Sequence, residues 1–144
     1  MARDVTVLIT CYNERAYVGE AIDSIAGQTA FDRVARILVV NNGSTDDSAE
    51  FLEAKKAQTP RLDVMNLMPN IGAPAARNTG LKAIDTEWVA YLDGDDYWVP
   101  EKLARQLALV DAADPKIDLV YSDLMLFCDK PENASPVKCR SLNT

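Results

Sequence analysis

The sequence predicts an α/β protein, an open and mostly parallel sheet flanked by helices on both faces. Three observations point there. Val5–Thr10 (VTVLIT), Arg36–Val40 (RILVV) and Trp88–Leu92 (WVAYL) are short runs rich in apolar and β-branched residues, and runs apolar on both faces read as buried parallel strands. Between them apolar residues recur at helical spacing, and alternating strands and helices build right-handed crossovers. The chain has 144 residues, 48% hydrophobic and 26% charged, enough for one domain with a substantial core and too few for two comfortable ones.

Each element carries its own signal. After the first run, Tyr17, Ala21, Ile22 and Ile25 keep a 3.6-residue period behind Asn13, which predicts a helix capped by that asparagine. Ser44 or Thr45 is placed to cap a second helix carrying Phe51 and Leu52. Pro74 suits the first position of a third, where its missing N–H would have no partner in any case. Pro100 opens a fourth, with Leu103, Leu107 and Val110 on one face. Weaker strand signals lie at Leu62–Leu67 and Ile117–Ser122. The stretch 129–144, with Pro, Ser, Asn and Lys, reads as a loose polar tail behind a domain spanning 1–128.

In open α/β sheets ligands bind beyond the carboxyl ends of the strands, where strand order reverses. The strand-end residues are therefore the informative ones: Thr10-Cys11-Tyr12-Asn13-Glu14, Asn41-Asn42-Gly43-Ser44 and Asp93-Gly94-Asp95-Asp96. Composition limits what they can do. There is no histidine, which excludes Ser-His-Asp and Cys-His catalysis and any imidazole base. Fifteen Lys and Arg against 22 Asp and Glu leave a formal charge of −7, which argues against gripping nucleic acid through its phosphates. Cys11, Cys128 and Cys139 form no CxxC and read as free thiols. No apolar run approaches the length of a membrane span and no secretory leader opens the chain, so the expected compartment is the cytoplasm.

The acidic cluster has two readings. Two carboxylates about 5 Å apart repel by roughly 3 kcal/mol at an effective dielectric near 20, so the group needs open water or a cation. As a solvated turn it would feed the helix at Pro100, yet a helix N-terminus favours acidic residues only within its first turn, and Asp93 and Asp95 lie upstream. As a metal site, an Asp-Gly-Asp turn can aim two carboxylates at one hard divalent cation. Asn41 could be part of a plain strand-to-helix turn or could hydrogen-bond a flat heterocycle. Arg77 could be a surface charge or could meet a phosphate near a helix start. Tyr12 and Tyr17 could both be core residues beside a capped helix.

Taken in order, VTVLITCYNERAYVGEAIDSI, ILVVNNGSTDDS and NIGAPAARNTGLKAIDTEWVAYLDGDDYWVPEKL resemble the segments of the family 2 glycosyltransferases, from about Val5 to Ser122. The resemblance implies the Rossmann-like GT-A fold and transfer of a sugar, with inversion, from a nucleotide diphosphate to an acceptor hydroxyl. It implies that Asp93 and Asp95 are the DxD pair, with Asp95 the direct ligand of Mn²⁺ or Mg²⁺ bridging the diphosphate, and that Asp96 supports them or touches the sugar. Thr10, Cys11, Tyr12 and Glu14 would line the nucleoside pocket, and Arg77 would lie near the base or phosphates. Two positions depart from the family pattern. Thr10-Cys11 stands for its Pro-Thr or Pro-Ser, and Asn41-Asn42 for its paired Asp. The carbonyl of Asn41 could accept a uracil imide proton, which keeps a UDP-sugar as the expected donor, while its amide could donate to another base. The family's acceptor half, with its catalytic base, lies C-terminal to the DxD region, so the base is expected outside this chain. The partners implied are a nucleotide-sugar donor and a glycan or lipid-linked acceptor, with a role in polysaccharide biosynthesis at the inner face of the membrane. Rival readings are a nucleotide-sugar-binding module without transfer and a phosphatase of the haloacid dehalogenase type, which also sets Asp-x-Asp after an apolar strand.

Overall fold

The computed structural model describes residues 5–113, 117–126 and 135–137. The chain divides into two compact units, Met1–Ala104 and Arg105–Thr144. The first is built from β1 (Val5–Cys11), α1 (Val18–Ala26), a 3-10 turn at Phe31–Arg33, β2 (Val34–Asn42), α2 (Ser48–Lys56), β3 (Leu62–Leu67), α3 (Ala73–Leu81), β4 (Trp88–Asp93) and the start of α4 (Lys102–Ala112). Its four strands run parallel in the order β3-β2-β1-β4, as the alternating pattern predicts.

The strands form because both of their faces are covered. Leu8, Leu38 and Val40 pack with Ala76 of α3, and Met65, Leu67, Leu81, Ile84 and Val89 close around them. Val7, Ile9, Ile37 and Val39 point the other way by the alternation of a strand and are equally buried. Fully burying each such side chain stabilises by about 1.5–3 kcal/mol, so the central pair β1 and β2 anchors the unit. At the β3 edge, Arg36 of β2 pairs with Asp63, which Lys56 of α2 also reaches at 2.8 Å.

Several local expectations are corrected. Asn13 does not cap α1. Tyr17 takes the cap position without a side-chain bond, and at 58% exposed it lies outside the helix stripe, which Val18 joins instead. Asn13 sits in the left-handed region at φ 55°, with its carboxamide engaged by the loop after β2. That loop runs further than Ser44 or Thr45 would allow, because α2 begins only at Ser48, whose N–H donates to Asp46 Oδ1 at 3.0 Å. Pro74 does lie in the first turn of α3, behind Gly72. The helix after Pro100 starts at Lys102, with Leu103 and Leu107 buried and Val110 half-buried.

In the second unit, Ile117–Ser122 is not a strand. Its Leu119 and Tyr121 are 77% and 58% exposed, and an apolar run becomes a strand only where an edge receives it. The pairing found is β5 (Leu124–Leu126) antiparallel to β6 (Ser135–Val137), the latter inside the stretch read as a polar tail. Cys128 and Cys139 lie outside the described residues, and Cys11 is a free, buried thiol. No helix among the described residues is long and apolar enough to cross a membrane.

Candidate functional site

Strand register brings the informative loops to one edge. Asn66 of β3 is paired with Asn41 of β2, Asn41 with Cys11 of β1, and Thr10 with Asp93 of β4. The carboxyl ends of four parallel strands thus carry Asn66, Asn41, Cys11 and Asp93 in a row. Chain order reverses between β1 and β4, and there the acidic residues collect.

Gly94 is the reason they can. It is buried, and a Cβ there would overlap Glu14 Oε2 and come within 3.2 Å of the Thr10 carbonyl oxygen. Glycine lets the β4 turn close against the loop after β1 with the Glu14 carboxylate in this place. Glu14 Oε2 is buried without a hydrogen-bond partner. Desolvation, and next the charges of Asp95 and Asp93, push the Glu14 carboxyl up to about 7. Asp96 is raised in the same sense, by desolvation first and then by Asp95 and Asp93. Asp93, Asp95 and Asp96 are themselves exposed.

Asp93 has a counter-ion. Arg77, from the middle of α3, donates to Asp93 Oδ1 at 2.8 Å, with its guanidinium 5.7 Å from the Tyr91 ring centroid. Arg77 therefore belongs to the acidic edge and is not a stray surface charge. Thr10 is half-buried, whereas Tyr12 and Tyr17 are 45% and 58% exposed, so neither tyrosine of the loop is core. Cys11 is 1% exposed, and burial, followed by the Glu14 charge, pushes its thiol up to about 11. It is protonated and unreactive at neutral pH.

The loops after β1 and β2 are clasped together. Asn13 N–H donates to Ser44 Oγ at 3.0 Å, Asn13 Oδ1 accepts from Thr45 N–H at 2.8 Å, and Arg15 N–H donates to Asp46 Oδ2 at 3.3 Å. Asn41 is 3% exposed, with Nδ2 donating to Asn66 Oδ1 at 2.9 Å and Oδ1 accepting from Ser44 N–H at 3.3 Å. The sequence names Gly94 only as the bend of an Asp-Gly-Asp turn, and does not point to Asn66. An Asp-Gly-Asp spacing could have suggested a close approach at Gly94, whereas nothing local marks Asn66.

The residues fit a divalent cation held in part by its ligand. Among the described residues no three Asp, Glu or Cys side chains converge as a ready-made cage. Small hard cations are commonly held by one or two carboxylates, with waters and substrate phosphates completing the shell. Asp93 and Asp95, exposed on either side of one glycine, supply that many.

Residues 6–127 match the family described as glycosyl transferase family 2. The chain is 36% identical over 110 residues to the uncharacterized glycosyltransferase alr2836 of Nostoc sp., covering 76% of this chain and 34% of that protein. It is 37% identical over 116 residues to the uncharacterized glycosyltransferase EpsJ of Bacillus subtilis, covering 81% and 32%. The chain thus spans about a third of the length of these relatives. Among solved structures, S. aureus TarS 1–349 superposes with a TM-score of 0.67 at 32% identity, over 75% of this chain and 32% of that one. Mannosyltransferase PcManGT from Pyrobaculum calidifontis, in complex with GDP-Man and Mn²⁺, gives 0.69 at 28% identity, over 76% and 33%. These neighbours share the GT-A architecture, and a family match that takes in every strand-end loop gathered at this edge makes the chain a member of glycosyl transferase family 2.

Proposed function

We propose that the chain forms the donor-binding part of an inverting glycosyltransferase, which moves a sugar from a nucleotide diphosphate, by preference a UDP-sugar, to a hydroxyl of a glycan or lipid-linked acceptor. One observation carries the reading: Glu14, Asp93 and Asp95 interact at the β1–β4 crevice around Gly94, with a buried Glu14 oxygen left without a partner. An acidic edge of this kind repels a bare diphosphate and accepts one that arrives with a cation. Complexes of S. aureus TarS with UDP and UDP-GlcNAc, and of PcManGT with GDP-Man and Mn²⁺, support the same class of ligand.

In this reading Asp93 and Asp95 hold Mn²⁺ or Mg²⁺. When bound, the cation acts as a Lewis acid for the negative charge of the departing nucleotide diphosphate. Asp96 orients the sugar from the next position of the turn. Thr10, Cys11, Tyr12 and Glu14 border the nucleoside, Cys11 through its backbone because its thiol is buried. Asn41 offers its carbonyl to the base. Arg77 balances Asp93 at the base and diphosphate end of the pocket.

Thermal unfolding with UDP or GDP, each with and without Mn²⁺, tests the reading. A nucleotide at 100 times its dissociation constant adds about 2.7 kcal/mol, a rise of several degrees for a domain of this size. The rise should need Mn²⁺, and Asp95→Asn should abolish it while leaving the ligand-free protein as stable as before or slightly more so. No rise with either nucleotide, or a Mn²⁺-dependent rise that survives Asp95→Asn, sinks the proposal.

A further inference from the structure

Beyond Asp93 the acidic turn has no strand or helix of its own, since β4 ends there and α4 begins only at Lys102. Its segment is held instead at both ends of α1. Ahead of that helix stands Glu14, whose carbonyl accepts the N–H groups of Tyr17 and Val18 at 2.9 Å and whose carboxylate lies against Gly94. Behind the helix, Gln28 reaches the far end of the segment. Its Nε2 donates to the carbonyl oxygens of Ser24 at 3.1 Å and Val99 at 2.8 Å, and its Oε1 accepts the Leu103 N–H at 2.9 Å. Both N–H bonds of the carboxamide are used, and the orientation is fixed, because two carbonyls face the nitrogen and an N–H faces the oxygen.

Gln28 is 4% exposed, and an amide is buried at a cost unless it is fully bonded. Here its bonding joins α1 to the loop and, through Leu103, to the first turn of α4, where N–H groups have no partner within the helix. Two further bonds make the same join. Ser24 Oγ accepts the Trp98 N–H at 3.1 Å, and the Pro100 carbonyl accepts the Thr29 N–H at 3.0 Å. On the other side the Asp96 N–H donates to the Asp93 carbonyl at 3.1 Å, so only Tyr97 lies between the closed acidic turn and the first residue tied to α1. Asp93 is placed by β4, whereas Asp95 depends on the path of the loop. Resting on the donor-site reading above, we propose that Gln28 is a positioning residue for the cation site: by tying Val99 and Leu103 to the C-terminal turn of α1, it fixes where Asp95 stands relative to Asp93. Its N–H groups are taken up by the protein, so it acts through the loop and not on the ligand.

Electron paramagnetic resonance of Mn²⁺ bound with UDP reads the ligand geometry directly, and titration of the free Mn²⁺ signal gives the affinity. Both would be measured on the native chain, Gln28→Leu and Gln28→Glu, at a temperature where circular dichroism shows each to be folded. The leucine keeps the bulk and removes all three bonds, and the glutamate sets an acceptor against the carbonyls of Ser24 and Val99. Each should weaken Mn²⁺ binding in the presence of UDP by about tenfold and alter the spectrum of the bound ion at saturation. A residue that only stabilised the fold would leave that spectrum as it is in the native chain. Ser24→Ala removes the Trp98 bond alone and should change the spectrum in the same sense, which carries the test should neither Gln28 variant fold. An unchanged bound spectrum in the folded variants, whatever the affinity, overturns the role of Gln28 while leaving the donor site standing. Failure of the native chain to bind UDP with Mn²⁺ overturns the donor site and this inference with it.

Discussion

Glu14 is where an ordinary loop residue becomes a group with consequences. Its place after β1 is readable from the sequence, but its burial is not, because the neighbour that buries it, Gly94, is distant in the chain. With its carboxyl pushed up to about 7 from 4.5 by burial and by Asp95 and Asp93, the folded state binds a proton that the unfolded state has released. Stability therefore falls as pH rises through this window, the reverse of the usual carboxylate. After allowance for solvent screening the loss is on the order of 1 kcal/mol. Urea unfolding at pH 5 and pH 8 measures it, and Glu14→Gln should flatten the difference by stabilising the protein at pH 8. An equal pH slope in native and variant would assign the titration to another group. Asn41 shows the same limit of local reading. The sequence leaves the partners of its carbonyl and its amide open, and in the fold they are the Ser44 N–H and Asn66 Oδ1.

Among the elements, α3 depends most closely on a single residue. Gly80 lies against the sheet, where a Cβ would sit 2.6 Å from Leu8 Cδ1 and 2.8 Å from Val40 Cγ2. Alanine in place of a helix glycine gains up to about 1 kcal/mol of propensity, but forcing a methyl into a packed core costs about 1–3 kcal/mol. Overpacking wins, so Gly80→Ala should lower stability by roughly 1 kcal/mol net. A rise in the urea midpoint instead would mean that α3 is free to shift outward. The strain would be felt one turn earlier at Arg77, whose bond to Asp93 fixes the acidic edge. Element type was readable because strand runs and helical spacing are local properties. The caps were not, since Asn13 had two uses available and the loop after β2 outbid the helix for its carboxamide.

At the scale of the molecule, β1 and β2 are the interior strands and β3 and β4 the edges. The side chains of β1 and β2 are almost wholly buried, whereas β3 and β4 are largely half-buried. Amide exchange should follow that order, with β1 and β2 protected to nearly the global unfolding free energy and β3 and β4 opening by smaller excursions. Hydrogen exchange read by NMR checks it, and β3 amides outlasting those of β1 would refute the hierarchy. The formal charge of −7 acts at the same scale, because an acidic protein that takes an anionic ligand needs a cation at the point of entry.

The sequence by itself determined the order and type of the elements of the first unit, their parallel pairing and the edge on which the loops meet. Those follow from β-branched runs, helical periodicity and the handedness of crossovers, none of which needs a distant partner to be known. Only the tertiary structure decided which polar groups meet. Asn13 joins Thr45, Asn41 joins Asn66, Arg77 joins Asp93 and Glu14 closes over Gly94, each across another element of the fold. It also decided that Ile117–Ser122 is not a strand while Leu124–Leu126 is one, antiparallel to Ser135–Val137. A hydrogen bond needs its atoms within about 3 Å and aligned, a condition set by how strands register and helices seat, whereas a periodicity survives any such adjustment.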